Sequence, residues 1–383
     1  MEPLRLAEGS PHRAPLTDLA LELARKSSGL RRALPGALGD SLAEALRAMN
    51  CYYSNLIEGH DTHPLDIERA LRADYSRDAR KRDLQLEARA HVEVQRWIDG
   101  GGLVGSPVRA DNLRAVHRRF CEALPDALLR VADPAGGGWL RVRPGEWRDR
   151  EVQVGQHVAA AAAALPRFMA RFEAAYADLG PTEALLAAAA AHHRLVWIHP
   201  FLDGNGRVAR LMSHAMLQDA LDSGALWSVS RALARDAAGY KAQLAACDRP
   251  RRNDLDGRGA LSEEGLAAFT RYFLTACLDQ VSFMEGLIDP GGLRARIRLW
   301  AREEIELGAL PPRADAVLEA VALRGELPRG EAAAAAGTGE RNARRIVAAL
   351  VGHGVLGSAT PYGPLRLVFK AALAPRWLPG LFP

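Results

Sequence analysis

The segment from Pro181 to Met216 constrains this chain more than any other. An alanine-rich run with strong helix-forming character reaches Ile198, and Pro200 disfavours helical geometry at the residue before it. The first helix is therefore expected to end at His199. Asp203, Gly204 and Gly206 read as a tight turn, after which a second helix begins. Val208, Leu211, Met212, Ala215 and Met216 fall on one face of it, and Arg207, Arg210 and His214 on another. A chain built around such a pair, rich in alanine and only 6% aromatic, is expected to be mainly α.

The rest of the 383 residues supports more than one domain. Helices are predicted over 41–57, from about Thr62 with Pro64 in the first turn, over 81–98, and over 111–124 with Asp111 as cap. Between Val131 and Gly155, glycine, proline and tryptophan cluster, and Val152, Gln153 and Val154 alternate as half of a hairpin would. Helix is predicted again over 158–176, 181–198 and 261–287. Pro290-Gly291-Gly292 reads as a boundary, followed by a helix over 293–307. Beyond it come helices over 314–323, 329–336 and 340–352, then a hairpin pattern over 355–369, the outline of a winged helix. The expected division is a helical region 1–80, a core 81–290 and a winged-helix module 291–383. There is no internal repeat.

The turn between the paired helices concentrates chemistry: His199-Pro200-Phe201-Leu202-Asp203-Gly204-Asn205-Gly206-Arg207-Val208-Ala209-Arg210. Free N–H groups at a helix start attract anions, and the two glycines let an anion approach the backbone. Two arginines near one turn apart offer forked donors for phosphate. A carboxylate beside a phosphate site suits Mg²⁺. Histidine is a general base by type. An isolated histidine, or an isolated Gly-Asn-Gly, would be read as an ordinary capped core helix; the full constellation points to nucleotide chemistry.

This segment resembles the Fic motif, His-Pro-Phe-x-Asp/Glu-Gly-Asn-Gly-Arg-x-x-Arg, at every defined position. The resemblance implies a Fic helical core with a small β-hairpin flap and an enzyme that moves AMP from ATP to a tyrosine, serine or threonine hydroxyl of a target protein and of itself. It implies that His199 deprotonates the hydroxyl, that Asp203 holds Mg²⁺, that Gly204, Asn205 and Gly206 cradle phosphates, and that Arg207 and Arg210 grip them. A Fic-like kinase of the Doc type has lysine at the position of Gly206, and the phosphocholine-transferring branch has alanine at that of Gly204; neither departure is present.

Upstream, Ser54-Asn55-Leu56-Ile57-Glu58-Gly59 resembles the family's inhibitory motif, Ser/Thr-x-x-x-Glu-Gly/Asn. That implies a brake in which Glu58, one turn after Ser54 on the same helix face, pairs with the second motif arginine, Arg210. Glu58 also opens a reverse activity, hydrolysis of an AMP–protein bond, by orienting water. Gly145-Glu146-Trp147-Arg148 and Val152-Gln153-Val154-Gly155 resemble the flap, which pairs a target segment by its backbone. Ala159-Ala160 depart from the prolines common there. Tyr240 and Leu244, one turn apart, stand where relatives line the adenine pocket, although a plain core pair fits them equally.

Other classes are less well supported. His192 and His193 point to different helix faces, which argues against zinc with His199. The cysteines Cys51, Cys121, Cys247 and Cys277 lack metal-ligand spacing and read as buried thiols in a reducing compartment. No run of 18 apolar residues and no signal-peptide pattern is present, so the expectation is a cytoplasmic protein without a membrane span. Arg341, Arg344 and Arg345 lie on the recognition-helix position of the winged-helix outline. With a net charge of only +4 and interspersed signs, DNA binding is disfavoured against protein docking or homodimer formation. A winged-helix transcriptional regulator with an ATP-sensing Fic core is the non-enzymatic alternative.

Overall fold

A computed structural model describes residues 1–133 and 136–382. Pro134 and Ala135, in the non-helical stretch after Val131, and Pro383, at the end of the expected winged-helix module, lie outside the described residues. The chain is mainly α with small antiparallel sheets and divides into two compact units.

The first unit comprises residues 1–26, 50–222 and 228–280. Its helices are α1 (Arg13–Arg32), α2 (Gly36–Ile57), α3 (Pro64–Leu71), α4 (Ala79–Asp99), α5 (Ala110–Glu122), α6 (Leu165–Tyr176), α7 (Pro181–Ile198), α8 (Asn205–Ala220), α9 (Val229–Ala234), α10 (Ala237–Cys247) and α11 (Glu263–Leu287). α1, α2 and α11 supply residues to both units. α7 is the central helix. Residues 185–195 are all buried, so it is covered on every side, and its alanines let α6 and α8 pack closely against it.

Two hairpins interrupt the helices: β1 (Arg130–Ala132) with β2 (Trp139–Arg141), and β3 (Gln153–Val154) with β4 (His157–Val158). The second is the hairpin expected from the alternation at 152–154. The first has too little alternation to be read from sequence. The helix expected from Val158 is absent until Leu165. The Ala159 N–H bonds the Val152 carbonyl at 3.2 Å and the Ala160 carbonyl accepts from Arg148, so backbone groups that a helix needs are engaged by the hairpin and its neighbour. Asp111 does not cap α5; Arg109 holds that position and Asp111 lies in the first turn, where its charge favours the helix dipole.

The second unit comprises residues 27–49, 223–227 and 281–382. It contains α12 (Pro290–Glu306), α13 (Ala314–Arg324), β5 (Glu326–Leu327), α14 (Ala332–Ala336), α15 (Glu340–Gly352), β6 (Leu356–Gly357), β7 (Leu365–Leu367) and α16 (Ala374–Trp377). The strands form an antiparallel sheet in the order β5-β7-β6. Pro290-Gly291-Gly292 forms the first turn of α12, which follows the end of α11 at Leu287 and begins before the expected 293. The Asp289 side chain accepts from the Gly292 N–H at 2.8 Å, and proline at the first position needs no donor partner. No helix among the described residues is long and apolar enough to cross a membrane. All four cysteines are buried and free.

Trp377 anchors the second unit. It is fully buried and meets Trp300 edge-on at 5.3 Å and Phe369 at 5.8 Å. Trp377→Ala should therefore cost about 3–5 kcal/mol, the range for removing a buried aromatic side chain. Urea denaturation of the full chain measures it; a loss below about 1 kcal/mol would show that this cluster does not hold the unit together.

Candidate active site

The site begins where α7 stops. His199 takes a left-handed conformation, φ 52° and ψ 60°, and its N–H still bonds the Leu195 carbonyl at 3.0 Å. A left-handed non-glycine residue is uncommon and needs support from its surroundings. Pro200 then turns the chain and Phe201 becomes fully buried, stacked on His117 at 3.9 Å and touching Trp147. The Asn205 side chain closes the loop. It accepts from the Phe201 N–H and donates to the Phe201 carbonyl, both at 2.9 Å. Asn205 thus has its amide committed to the loop, and only its backbone N–H faces the helix start.

His199 Nδ1 lies 3.3 Å from the Val196 carbonyl, which fixes the proton on Nδ1 and leaves the Nε2 lone pair available. Burial pushes its pKa down to about 4; the Val196 bond opposes this and the Arg148 charge reinforces it. The imidazole is neutral at pH 7, the form a general base requires.

Gly204 has φ +82° and precedes the first turn of α8. At Gly206, a Cβ would lie 2.5 Å from Glu58 Oε1 and 3.1 Å from Arg210 Nη1. The Glu58 carboxylate therefore sits against the opening turn of α8, where free N–H groups and the helix dipole favour an anion. Glu58 is brought there by α2, which ends at Ile57. Glu58 lies just beyond it, in a tighter turn in which its N–H bonds the Asn55 carbonyl at 3.0 Å.

Arg210 is 1% exposed and belongs to this upstream segment as much as to its own helix. It donates to Ser54 Oγ at 2.9 Å, to the Ser54 carbonyl at 3.2 Å and to Glu58 Oε1 at 2.5 Å. Burial would raise the Glu58 pKa, but the Arg210 charge and hydrogen bond outweigh it, with help from Arg207 and His60, and hold the carboxyl below its usual range. Arg207 is held by a second carboxylate. It bonds Glu87 of α4 and Asp203 Oδ2, the latter at 3.0 Å, with its guanidinium 4.8 Å over the Phe120 ring. The other Glu87 oxygen takes His60 Nδ1 at 2.7 Å.

Asp203 is half exposed and is the carboxylate nearest the helix start within the loop. Among the described residues no three acidic, histidine or cysteine side chains group as a metal cage. One hard oxygen donor beside a phosphate-binding turn fits an ion held largely by the nucleotide, as Mg²⁺ prefers.

Tyr240 and Leu244 lie on α10. Tyr240 is 3% exposed and donates to His192 Nε2 at 2.7 Å; His192 Nδ1 in turn reaches Ser213 Oγ on α8 at 2.8 Å. The Tyr240 hydroxyl is also hydrogen-bonded by the Arg210 side chain. Leu244 is half-buried and offers its carbonyl to His193. Gln153 and Val154 are exposed on β3, Val152 is half-buried, and β3 is paired on one side only among the described residues. The hairpin is tied to α7 by His157 Nε2, 2.8 Å from the Trp197 carbonyl.

Sequence reading assigns no role to Glu87, His60 or His117, and places Arg148 only within the segment that resembles the flap. His117 Nε2 bonds the Asp203 carbonyl at 3.2 Å and its Nδ1 accepts from the Gly145 N–H at 2.9 Å. Glu87, His60 and His117 belong to no recognisable motif. The only available signal was polar residues on otherwise buried helix faces.

His60 carries a pH dependence. Its hydrogen bond to Glu87 raises its pKa above the ordinary value, against burial. A raised folded-state pKa contributes stability that is full below the unfolded value near 6.5 and fades as pH rises through the folded value. His60→Gln should flatten this part of the stability profile from about pH 6.5 upward. Urea titrations at stepped pH would show it; an unchanged slope would remove the His60–Glu87 pair from the balance.

Residues 107–217 match the Fic/DOC family. The protein adenylyltransferase Fic of Drosophila yakuba is 30% identical over 190 residues, 48% of this chain and 34% of that protein. Its counterpart in Drosophila melanogaster is 29% identical over 190 residues, covering 48% and 35%. The chain thus spans about a third of the length of these relatives. The crystal structure of a Fic family protein from Desulfovibrio desulfuricans G20 shares the fold, with a TM-score of 0.55 at 17% identity over 96% of this chain and 98% of that one. The stretch from α5 through α8, with its loop, base and paired arginines, is the part of this chain that matches the Fic/DOC family.

Proposed function

We propose that this protein is an auto-inhibited protein AMP transferase. The observation that carries the reading is the carboxylate of Glu58 lying against the first turn of α8 and bonded to Arg210, beside a neutral His199. An anion is already held where a nucleotide phosphate would need to sit. The relatives' name, protein adenylyltransferase, supports the same chemistry.

In this reading ATP lays its phosphates over Gly204–Gly206, with Arg207 and Arg210 as forked donors. Asp203 would hold a Mg²⁺ ion, which would supply positive charge to offset that of the phosphates. A target segment pairs along β3 at Val152–Val154 and presents a hydroxyl to His199. Nε2 accepts the hydroxyl proton, the oxygen attacks the α-phosphorus, and pyrophosphate leaves. The protein's contribution is placement and fixed charge. Tyr240 is hydrogen-bonded to Arg210, and Leu244 stands at the edge of the space left for adenine.

Ser54 and Glu58 form the brake. While Arg210 serves Glu58, it is withheld from the terminal phosphate. Because Glu58 is kept ionised, it also suits a second reading, in which it orients water to hydrolyse an AMP–protein bond. We further propose the division 1–80, 81–290 and 291–383, the last a winged helix. The net charge of only +4 favours docking of protein, a second copy included, over DNA for this module. Four buried free thiols fit the cytoplasm.

Glu58→Gly should raise incorporation of labelled AMP into the protein itself and into cell extract by at least about tenfold, equivalent to about 1.4 kcal/mol. The double variant Glu58→Gly with Arg210→Ala should show no such rise. The comparison is made at equal folded concentration, because removing one partner of a buried ion pair destabilises the fold. No gain in the single variant would remove the brake; an equal gain in the double variant would mean that Glu58 acts through another group.

His199→Ala in the Glu58→Gly background should lose about 10²–10⁴ in transfer rate while still binding ATP, as expected for loss of a general base. Transfer at the parent rate would overturn the assignment of His199.

A further inference from the structure

Resting on the transferase reading above, we infer that Arg148 is a positioning residue that ties the base-bearing loop to the target-binding hairpin. The side chain is 5% exposed. Its Nε donates to the His199 carbonyl at 2.7 Å and one terminal nitrogen to the Ile198 carbonyl at 3.3 Å. The same nitrogen donates to the Ala160 carbonyl, and the other to the Arg150 carbonyl at 2.6 Å. Its backbone N–H takes the Pro200 carbonyl at 2.9 Å. The acceptors come from two places: residues 198–200, where α7 ends and His199 sits, and residues 150 and 160, which flank β3 and β4.

This is an unusual use of a buried cation. Among the described residues no carboxylate lies within ion-pair distance of Arg148, and every side-chain acceptor recorded for it is a backbone carbonyl. A charge without a contacting counter-ion is costly to bury, and burial lowers the Arg148 pKa. The planar fork reaches several carbonyls at once, which lysine's single ammonium cannot do. The return is geometric and electrostatic. The His199 carbonyl is fixed while its backbone holds a left-handed conformation, and a positive charge nearby disfavours the imidazolium. A peptide added to β3 is thereby held in register with the Nε2 lone pair of His199. Misplacing a reacting group by about 1 Å costs roughly 10²-fold.

The test uses the full chain in the Glu58→Gly background, with Arg148→Met and Arg148→Lys. In Arg148→Met, AMP transfer at saturating ATP should fall about tenfold to a hundredfold, while the ATP dissociation constant stays within about twofold. Arg148→Lys, which keeps the charge and loses the fork, should recover part of the rate; it also carries the test if the Met variant does not fold. Titration of the His199 imidazole by NMR needs no activity, so it separates failure of this inference from failure of the transferase reading. The parent should titrate near 4 and Arg148→Met higher, towards the ordinary histidine value. Transfer at the parent rate would overturn the inference. So would a rate, ATP affinity and thermal stability that fall together with the His199 titration unmoved, because Arg148 would then support the fold alone.

Discussion

The chain reversal between α7 and α8 is the constraint on which the site depends. His199 leaves the helix in a left-handed conformation, Phe201 is buried against His117 and Trp147, and the Asn205 amide bonds both backbone groups of Phe201. These contacts fix a short loop with one geometry. The C-terminal end of α7 and the N-terminal end of α8 are thereby set side by side, so a neutral imidazole and a cluster of helix N–H groups face the same space. A looser loop would still bury Phe201 but would not hold the base against an anion site.

Three buried guanidinium groups surround that loop, and the way each is neutralised separates their roles. Arg210 and Arg207 are held by carboxylates, Glu58 for the first and Glu87 and Asp203 for the second. A carboxylate and a phosphate make similar forked bonds, so each arrangement can be exchanged for a ligand. Arg148 is held by main-chain carbonyls, which no ligand replaces without dismantling the loop. Burying charge costs stability whichever solution is used, and the pairs add little net stability over an apolar core. Their value lies in where they point.

Local patterns were legible wherever one physical signal governed an element. The α7 and α8 helices, the turn between them, β3 with its hairpin and the helices α13, α14 and α15 follow from helix propensity, proline and glycine placement and alternation. The helix expected from 293 starts at Pro290 because Asp289 caps the segment and makes Pro290-Gly291-Gly292 its first turn. Val158 to Ala164 misled because alanine is a strong helix former and nothing local reports that the Ala159 and Ala160 backbone is engaged by the hairpin and by Arg148.

By itself the sequence determined the mainly helical class and the order of groups along the 199–210 turn, because a fixed spacing on a loop and helix sets which side chains can share a face. The tertiary structure decided what those groups touch. Glu58 meets an arginine 152 positions away, Glu87 meets one 120 positions away, and the Asn205 amide turns inward to Phe201. Such contacts arise from helix packing, which is set by the fit of whole faces rather than by any local spacing.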